Sequence, residues 1–216
     1  MELKMKDYIL FFLSVIIIGA AITLITNAGM GATAITSLPF VISEIWGISF
    51  GFMTALFNLL WVLLQIMIQR KNFPKIQLLQ FIVSFLLGLS VDISNLILGG
   101  INPKTYINQI IILVIGCLTM AFGIFLQLKA NVVYNPAEGI VTVIAEHTRY
   151  QFSTIKTIFD STLVILSILL GLFVTGKVTG IREGTIISAL IIGPFTGMYR
   201  KLFNWAEEQT NETGTV

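Results

Sequence analysis

The chain has 216 residues, of which 56% are hydrophobic and only 11% are charged, and its formal net charge at pH 7 is +2. Soluble domains carry about 25% charged residues, so this composition excludes an ordinary soluble fold and predicts a polytopic membrane protein. The small net charge indicates no nucleic-acid partner. With a single cysteine and a single histidine, we expect no disulfide framework, no metal site, no cofactor and no enzymatic activity.

Six apolar segments are long enough to span a bilayer, which takes about 20 residues of helix. They are Tyr8–Asn27, Phe50–Ile68, Ile76–Leu98, Tyr106–Leu128, Ser153–Thr175 and Gly184–Phe203. Runs rich in Gly, Pro, Asn and Lys separate them. Most lysines and arginines near the helix ends fall on one side, so the positive-inside rule predicts that both termini are cytoplasmic.

The two halves of the chain resemble each other at an offset near 104 residues. We therefore expect an all-α bundle with repeats at residues 1–98 and 99–204, followed by a cytoplasmic tail at 205–216. Three spans per half make the second repeat inverted, as in many secondary transporters. The alternative is a stable pseudo-symmetric bundle without a pathway. The aligned polar and glycine pairs are Gly19 with Gly123, Asn27 with Asn131, Asn58 with Asp160, and Gly88 with Gly193.

Each half contains one short apolar segment between its first two spans, at residues 31–46 and 135–147. A helix of about 14 residues covers only about 21 Å, which is too short to cross the membrane. Such a segment either enters the membrane and returns, which is typical of transporter binding sites, or lies along the headgroups. Both alternatives are open from the sequence.

Asp160 is the main candidate for a solute-binding or proton-binding residue, because a charge near the middle of a span is costly and needs a partner or a role. Lys156 precedes it by four residues and lies on the same helical face. The alternative is a purely structural ion pair. Asn58 occupies the corresponding depth in the other half, so the two positions together predict an asymmetric site.

Further candidate binding residues lie near helix ends. Asn135 and Pro136 form a typical N-cap and first helical position, and the helix dipole there favours the Glu138 carboxylate. The asparagines at the ends of the first and fourth spans are alternatively simple C-caps. The residues in this group are Asn27, Asn131, Asn135, Glu138, Arg182 and Thr185.

Four motifs resemble the YczE/YyaS/YitT family of bacterial integral membrane proteins. They are Asn27–Gly31, Asn135–Gly139, Phe159–Asp160 and Gly184–Pro194. The resemblance covers nearly the whole chain and implies a multi-pass protein of the bacterial plasma membrane. Members of that family are described as membrane proteins or transporters, so the resemblance implies no defined biochemical activity.

We therefore expect a secondary transporter or facilitator of a small polar solute or ion, embedded in the lipid bilayer and acting alone or as a homodimer. The chain has no phosphate-binding loop pattern, so energy coupling within it is to an ion gradient or absent. The first alternative is a solute-binding subunit of an importer that borrows a partner ATPase. The second is a membrane assembly factor.

Overall fold

The protein is described by a computed structural model that covers residues 4–213, with side chains for residues 4–203. The described part is all-α and contains eight α-helices. They are α1 (Met5–Asn27), α2 (Ala34–Trp46), α3 (Phe50–Gln69), α4 (Leu79–Leu98), α5 (Tyr106–Ala130), α6 (Pro136–Thr148), α7 (Phe152–Thr175) and α8 (Glu183–Thr213). The side chains of the predicted tail, 205–216, lie outside the described residues.

Five helices are long and apolar enough to span a membrane, namely α1, α3, α4, α5 and α7. The third of these stretches begins at Lys75, because two short 3₁₀ segments at Arg70–Asn72 and Lys75–Leu78 lead into α4. The expected sixth span lies in α8 and is not among the five. Its apolar run contains Pro194 and ends at Arg200 and Lys201, which shortens the stretch suited to hydrocarbon.

Helices α1 and α5 cross at the centre of the bundle because glycines on α5 let the backbones approach. A Cβ atom at Gly116 would lie 2.7 Å from Ile25, and one at Gly123 would lie 2.7 Å from Ile18. Small residues serve this purpose in membrane helices, where packing replaces the hydrophobic driving force. The two isoleucines are 0% and 3% exposed, so this crossing forms part of the main core.

The remaining helices pack in pairs that correspond when the two halves are exchanged. Helix α4 packs on α1 as α8 packs on α5, and α2 packs on α7 as α6 packs on α3. The α5–α8 contact includes an aromatic cluster in which Phe125 stacks on Phe203 with ring centroids 5.0 Å apart. One pair breaks the correspondence: α3 packs closely on α4, and no comparable α7–α8 contact occurs in the described part.

The predicted short helices are both present, as α2 and α6. Asn135 is the N-cap of α6, as expected, and its side chain accepts a hydrogen bond from the backbone N–H of Ala137 at 3.3 Å. Gly47 is the C-cap of α2 and Arg149 is the C-cap of α6, and both lie in the left-handed region, at φ 65° and 63°. A residue in this conformation stops a helix, so both short helices end within 13 residues.

Candidate functional site

A small cavity lies between the two halves of the chain. Its volume is about 70 Å³, and its walls come from α1, α2, α3, α4, α5 and α6. Asn58, one of the lining residues, is eight residues into α3, which places it about 12 Å along a helix of about 30 Å. The lining residues are Ile18, Ile22, Thr33, Ile35, Thr36, Pro39, Thr54, Phe57, Asn58, Trp61, Leu87, Met120, Ile124, Asn135 and Glu138.

Both short helices begin at this cavity. Thr33, the N-cap of α2, and Asn135, the N-cap of α6, belong to its lining. Thr33 makes no side-chain capping bond to the helix and instead contacts the hydroxyl of Thr36 at 2.7 Å. The first turn of a helix carries unpaired N–H groups and a partial positive charge of about +0.5. Two such ends therefore meet in one small space.

Two polar groups in the cavity have no hydrogen-bond partner among the described residues. The side chain of Asn58 is 4% exposed, and its Nδ2 atom is buried without an acceptor. The carboxylate of Glu138 is half-buried and accepts no hydrogen bond. Buried polar groups in proteins nearly always have a partner, so the unpaired Asn58 amide indicates a site for a bound solute or water.

The predicted ion pair on α7 is present beside this cavity. Lys156 Nζ and Asp160 Oδ1 are 2.8 Å apart, and both side chains are about a quarter exposed, at 25% and 26%. Neither residue lines the cavity. Both are close enough to act electrostatically on Glu138, where Lys156 favours the ionised carboxylate and Asp160 opposes it. Of the expected cluster, Asn58, Glu138 and Asn135 therefore share the cavity, and the ion pair lies behind it.

The asparagines at the span ends lie outside the cavity and have structural contacts. Asn27 Nδ2 donates to the carbonyl oxygen of Leu98 at 3.0 Å and joins the ends of α1 and α4. Asn131 is the C-cap of α5 in the left-handed region, at φ 48°. These contacts match the C-cap interpretation of Asn131, and a binding role for either residue stays a prediction.

Arg182 and Thr185 contact the loop that precedes α2. Arg182 donates to the carbonyl oxygen of Gly29 at 2.6 Å, and a Cβ atom at Gly31 would lie 2.6 Å from Thr185 Oγ1. Arg182 also pairs with Glu183 at 2.9 Å. The pKa of the Glu183 carboxyl is lowered, first by a hydrogen bond from its own backbone N–H and then by the Arg182 guanidinium. The pair thus holds the entrance of α2 in place.

Backbone hydrogen bonds reinforce this attachment. The N–H of Ala32 donates to the carbonyl oxygen of Gly180 at 3.0 Å, and the N–H of Gly184 donates to that of Met30 at 2.8 Å. Glycine at 184 allows the approach, because a Cβ atom there would lie 2.5 Å from the Met30 oxygen. The start of α2 is therefore fixed by the start of α8.

A glutamine pair that the sequence analysis missed holds the start of α6. Gln65 Nε2 donates to Gln80 Oε1 at 2.9 Å and to the carbonyl oxygen of Pro136 at 3.0 Å. Gln80 Nε2 donates back to Gln65 at 3.2 Å. The two side chains are 2% and 0% exposed. A glutamine inside an apolar span is the signal that identifies such a residue, since it requires an internal partner.

Sequence reasoning also missed the threonines and aromatic residues of the cavity. Thr36 and Thr54 are 6% and 4% exposed, and Trp61 is 9% exposed. Both threonine hydroxyls bond locally, Thr54 to the carbonyl oxygen of Phe50 at 2.8 Å and Thr36 to the hydroxyl of Thr33 at 2.7 Å. Within the described residues, no group of three or more His, Cys, Asp or Glu side chains is placed to hold a metal ion.

Five apolar spanning helices and two short helices that begin in a shared interior cavity define a polytopic α-helical membrane protein. The chain belongs to a family of unknown function, DUF6198, whose model matches residues 5–201. No similar protein was found among curated sequences, and no similar fold was found among solved structures. The resemblance to the YczE/YyaS/YitT family stays a prediction.

Proposed function

We propose that this protein is a secondary transporter or facilitator of a small polar solute or ion, with its binding site in the cavity between the halves. The observation that carries the proposal is the unpaired, buried amide of Asn58 in the same cavity as two helix N-termini. In secondary transporters, interrupted helices expose such backbone ends to the solute near the middle of the membrane.

The position of the short helices supports an entry of both loops into the bundle. Met30 and Ala32, in the loop before α2, are 0% exposed, and Val132 and Val133 before α6 are 6% and 7% exposed. A helix lying along the headgroups would leave these segments at the surface. Non-helical backbone at membrane depth is tolerated where protein buries it or a cavity receives it.

The correspondence between the halves supports alternating access. Helices α2 and α6 each pack on a spanning helix of the other half, α7 and α3. We infer that α8 provides the sixth span and that the halves form an inverted repeat, since α8 packs on α5 as α4 packs on α1. Rocking one half against the other would then open the cavity to each side in turn.

Thiol accessibility tests this proposal without knowledge of the substrate. Cys117 is the single cysteine, so the variant Cys117→Ala provides a cysteine-free background. Thr36→Cys then places one thiol in the cavity, and Thr23→Cys is the matched control, since Thr23 is 1% exposed and bonds to the carbonyl oxygen of Val91 away from the cavity. A membrane-impermeant thiol reagent is applied to each side of reconstituted vesicles.

A transporter predicts that the Thr36→Cys thiol reacts from both sides of the membrane and that the Thr23→Cys thiol reacts from neither. A binding subunit of an ATPase-driven importer predicts reaction of the cavity thiol from the outer side alone. An assembly factor without a pathway predicts reaction from neither side. Either of these last two results overturns the transport proposal.

A further inference from the structure

We propose that the cavity binds a small monovalent anion together with one proton, and that the proton is held on the Glu138 carboxylate. This inference rests on the cavity assigned under the proposed function and names its substrate class. It depends on three independent features: two helix N-termini, an unpaired buried amide donor, and a carboxylate without hydrogen bonds.

The two helix ends and the carboxylate nearly balance in charge. Each helix N-terminus contributes about +0.5 elementary charge, so α2 and α6 together supply about +1. Ionised Glu138 supplies −1 and leaves the cavity close to neutral. When Glu138 takes up a proton from the medium, the positive ends remain, and one monovalent anion restores neutrality. The proton forms an O–H bond on Glu138, and the anion binds without covalent change.

The donors in the cavity suit an anion. Asn58 Nδ2 is buried and unpaired, although the Asn58 side chain lines the cavity, and the first-turn N–H groups of α2 receive no side-chain cap from Thr33. Backbone N–H groups at a helix start bind anions readily. The volume of about 70 Å³ restricts the ligand to a few non-hydrogen atoms.

The charged surroundings of Glu138 are few. Helix α6 packs on α3 and α7, and α3 contains no titratable residue. On α7, Lys156 and Asp160 act on Glu138 with opposite sign and pair with each other at 2.8 Å. The net charge that faces the carboxylate from its neighbours is therefore small, and proton uptake by Glu138 decides the charge of the cavity.

Chloride and nitrate are suitable probes, because neither carries a proton of its own between pH 5 and 8. Sodium chloride, sodium nitrate and sodium gluconate are each added to the detergent-purified full chain while the melting temperature is followed, since a ligand of the native state raises it. Proton uptake is measured in weakly buffered solution. We expect chloride and nitrate to raise the melting temperature above the gluconate control, with about one proton taken up per anion bound at a pH above the titration of Glu138.

Linkage sets the pH dependence. If one proton is required, the apparent Kd of chloride rises about tenfold per pH unit above the titration of Glu138. Glu138→Gln is neutral at every pH, so we expect it to bind chloride equally at pH 5.5 and pH 8 without proton uptake. Glu146→Gln is the matched control on the same helix, because Glu146 is exposed and outside the cavity; it should behave as the unmodified chain.

Three results would overturn the inference: no chloride or nitrate effect beyond gluconate, anion binding without proton uptake in the unmodified chain, or an effect that follows sodium and vanishes with choline salts. The outcome is separable from that of the transport proposal. Two-sided labelling of the cavity thiol without chloride binding overturns the anion class alone. Chloride binding with one-sided labelling supports the anion site and overturns transport.

Discussion

Substitution of Gln65 by leucine tests the attachment of α6 to the bundle. The variant removes three hydrogen bonds, two to Gln80 and one to the carbonyl oxygen of Pro136. It leaves one buried acceptor, Gln80 Oε1, without a donor, because the Pro136 oxygen still accepts a backbone N–H within α6. Side-chain hydrogen bonds in membrane proteins average about 0.6 kcal/mol, which gives a lower figure of about 2 kcal/mol. Unsatisfied buried acceptors cost about 1–3 kcal/mol each, so we expect a loss of about 2–4 kcal/mol.

The double variant Gln65→Leu/Gln80→Leu separates pairing from simple loss of a side chain. When both glutamines are replaced, the Gln80 Oε1 acceptor is no longer left unpaired. The Gln80→Leu substitution therefore lowers the free energy of unfolding less in the Gln65→Leu background than it does in the unmodified chain. We expect an interaction energy of about 1–2 kcal/mol, within the range for residues in direct contact. The other partner of Gln80 is Gln77, which is half-buried and whose Oε1 atom accepts from Gln80 Nε2 at 2.6 Å and from the N–H of Tyr134 at 3.4 Å.

The free energy of unfolding is measured by denaturant titration in detergent, followed by circular dichroism. Gln127→Leu is the matched control, because Gln127 is 7% exposed and its side chain has no hydrogen bond within the described residues; its effect should lie within about 0.5 kcal/mol. A Gln65→Leu cost below about 0.5 kcal/mol, or strict additivity in the double variant, would refute the reasoning.

Three further predictions concern a close contact between helices, the start of α3 and the ion pair on α7. Gly88→Ala should lower the free energy of unfolding by about 1–3 kcal/mol, because the new Cβ atom would lie 2.4 Å from the Gly51 carbonyl oxygen. Gly193→Ala is the matched control, since a Cβ atom there meets nothing within 4 Å. Its melting temperature should be unchanged or higher. Asp92→Ala should cost about 1–2 kcal/mol of unfolding free energy, because Asp92 accepts from the Gly51 N–H at 2.8 Å at the start of α3. Asp160→Asn removes a negative charge that opposes ionisation of the cavity carboxylate, so the pH midpoint of chloride binding should fall; an unchanged midpoint contradicts this coupling.

The length of the apolar runs predicted five of the six expected spans and both short helices, because these depend on local sequence. The second apolar run predicts a span at Phe50–Ile68, and α3 is Phe50–Gln69. The short apolar segment of the second half predicts a helix at 135–147, and α6 is Pro136–Thr148. The Asn135 cap and the Lys156–Asp160 pair are contacts within a few residues along the chain, so spacing alone is sufficient to predict them.

The contacts that assemble the site join distant residues, and local patterns do not determine them. Gln65 reaches Pro136 across 71 positions, and Arg182 reaches Gly29 across 153. Arg182 and Thr185 are polar residues at a helix start, and this pattern fits a solute-binding role as well as it fits the attachment of a loop. The packing of α8 beside the loop before α2 shows the attachment, and a binding role for the two residues stays a prediction.

The scarcity of charge in this chain makes the environment of Glu138 informative. Asp7 receives the N–H of Lys4 at 2.8 Å, Asp92 caps α3, Asp160 pairs with Lys156, and Glu183 pairs with Arg182. The side chains of Glu44 and Glu146 are exposed at the protein surface. In the described part of the chain, Glu138 is thus the half-buried acid whose carboxylate has no hydrogen bond. A carboxylate in that position is costly unless it takes up a proton or its charge is balanced by the helix ends beside it. The helix ends beside Glu138 supply the balancing charge, and under the proposal above the exchange between balance and proton uptake is the step that couples an anion to a proton.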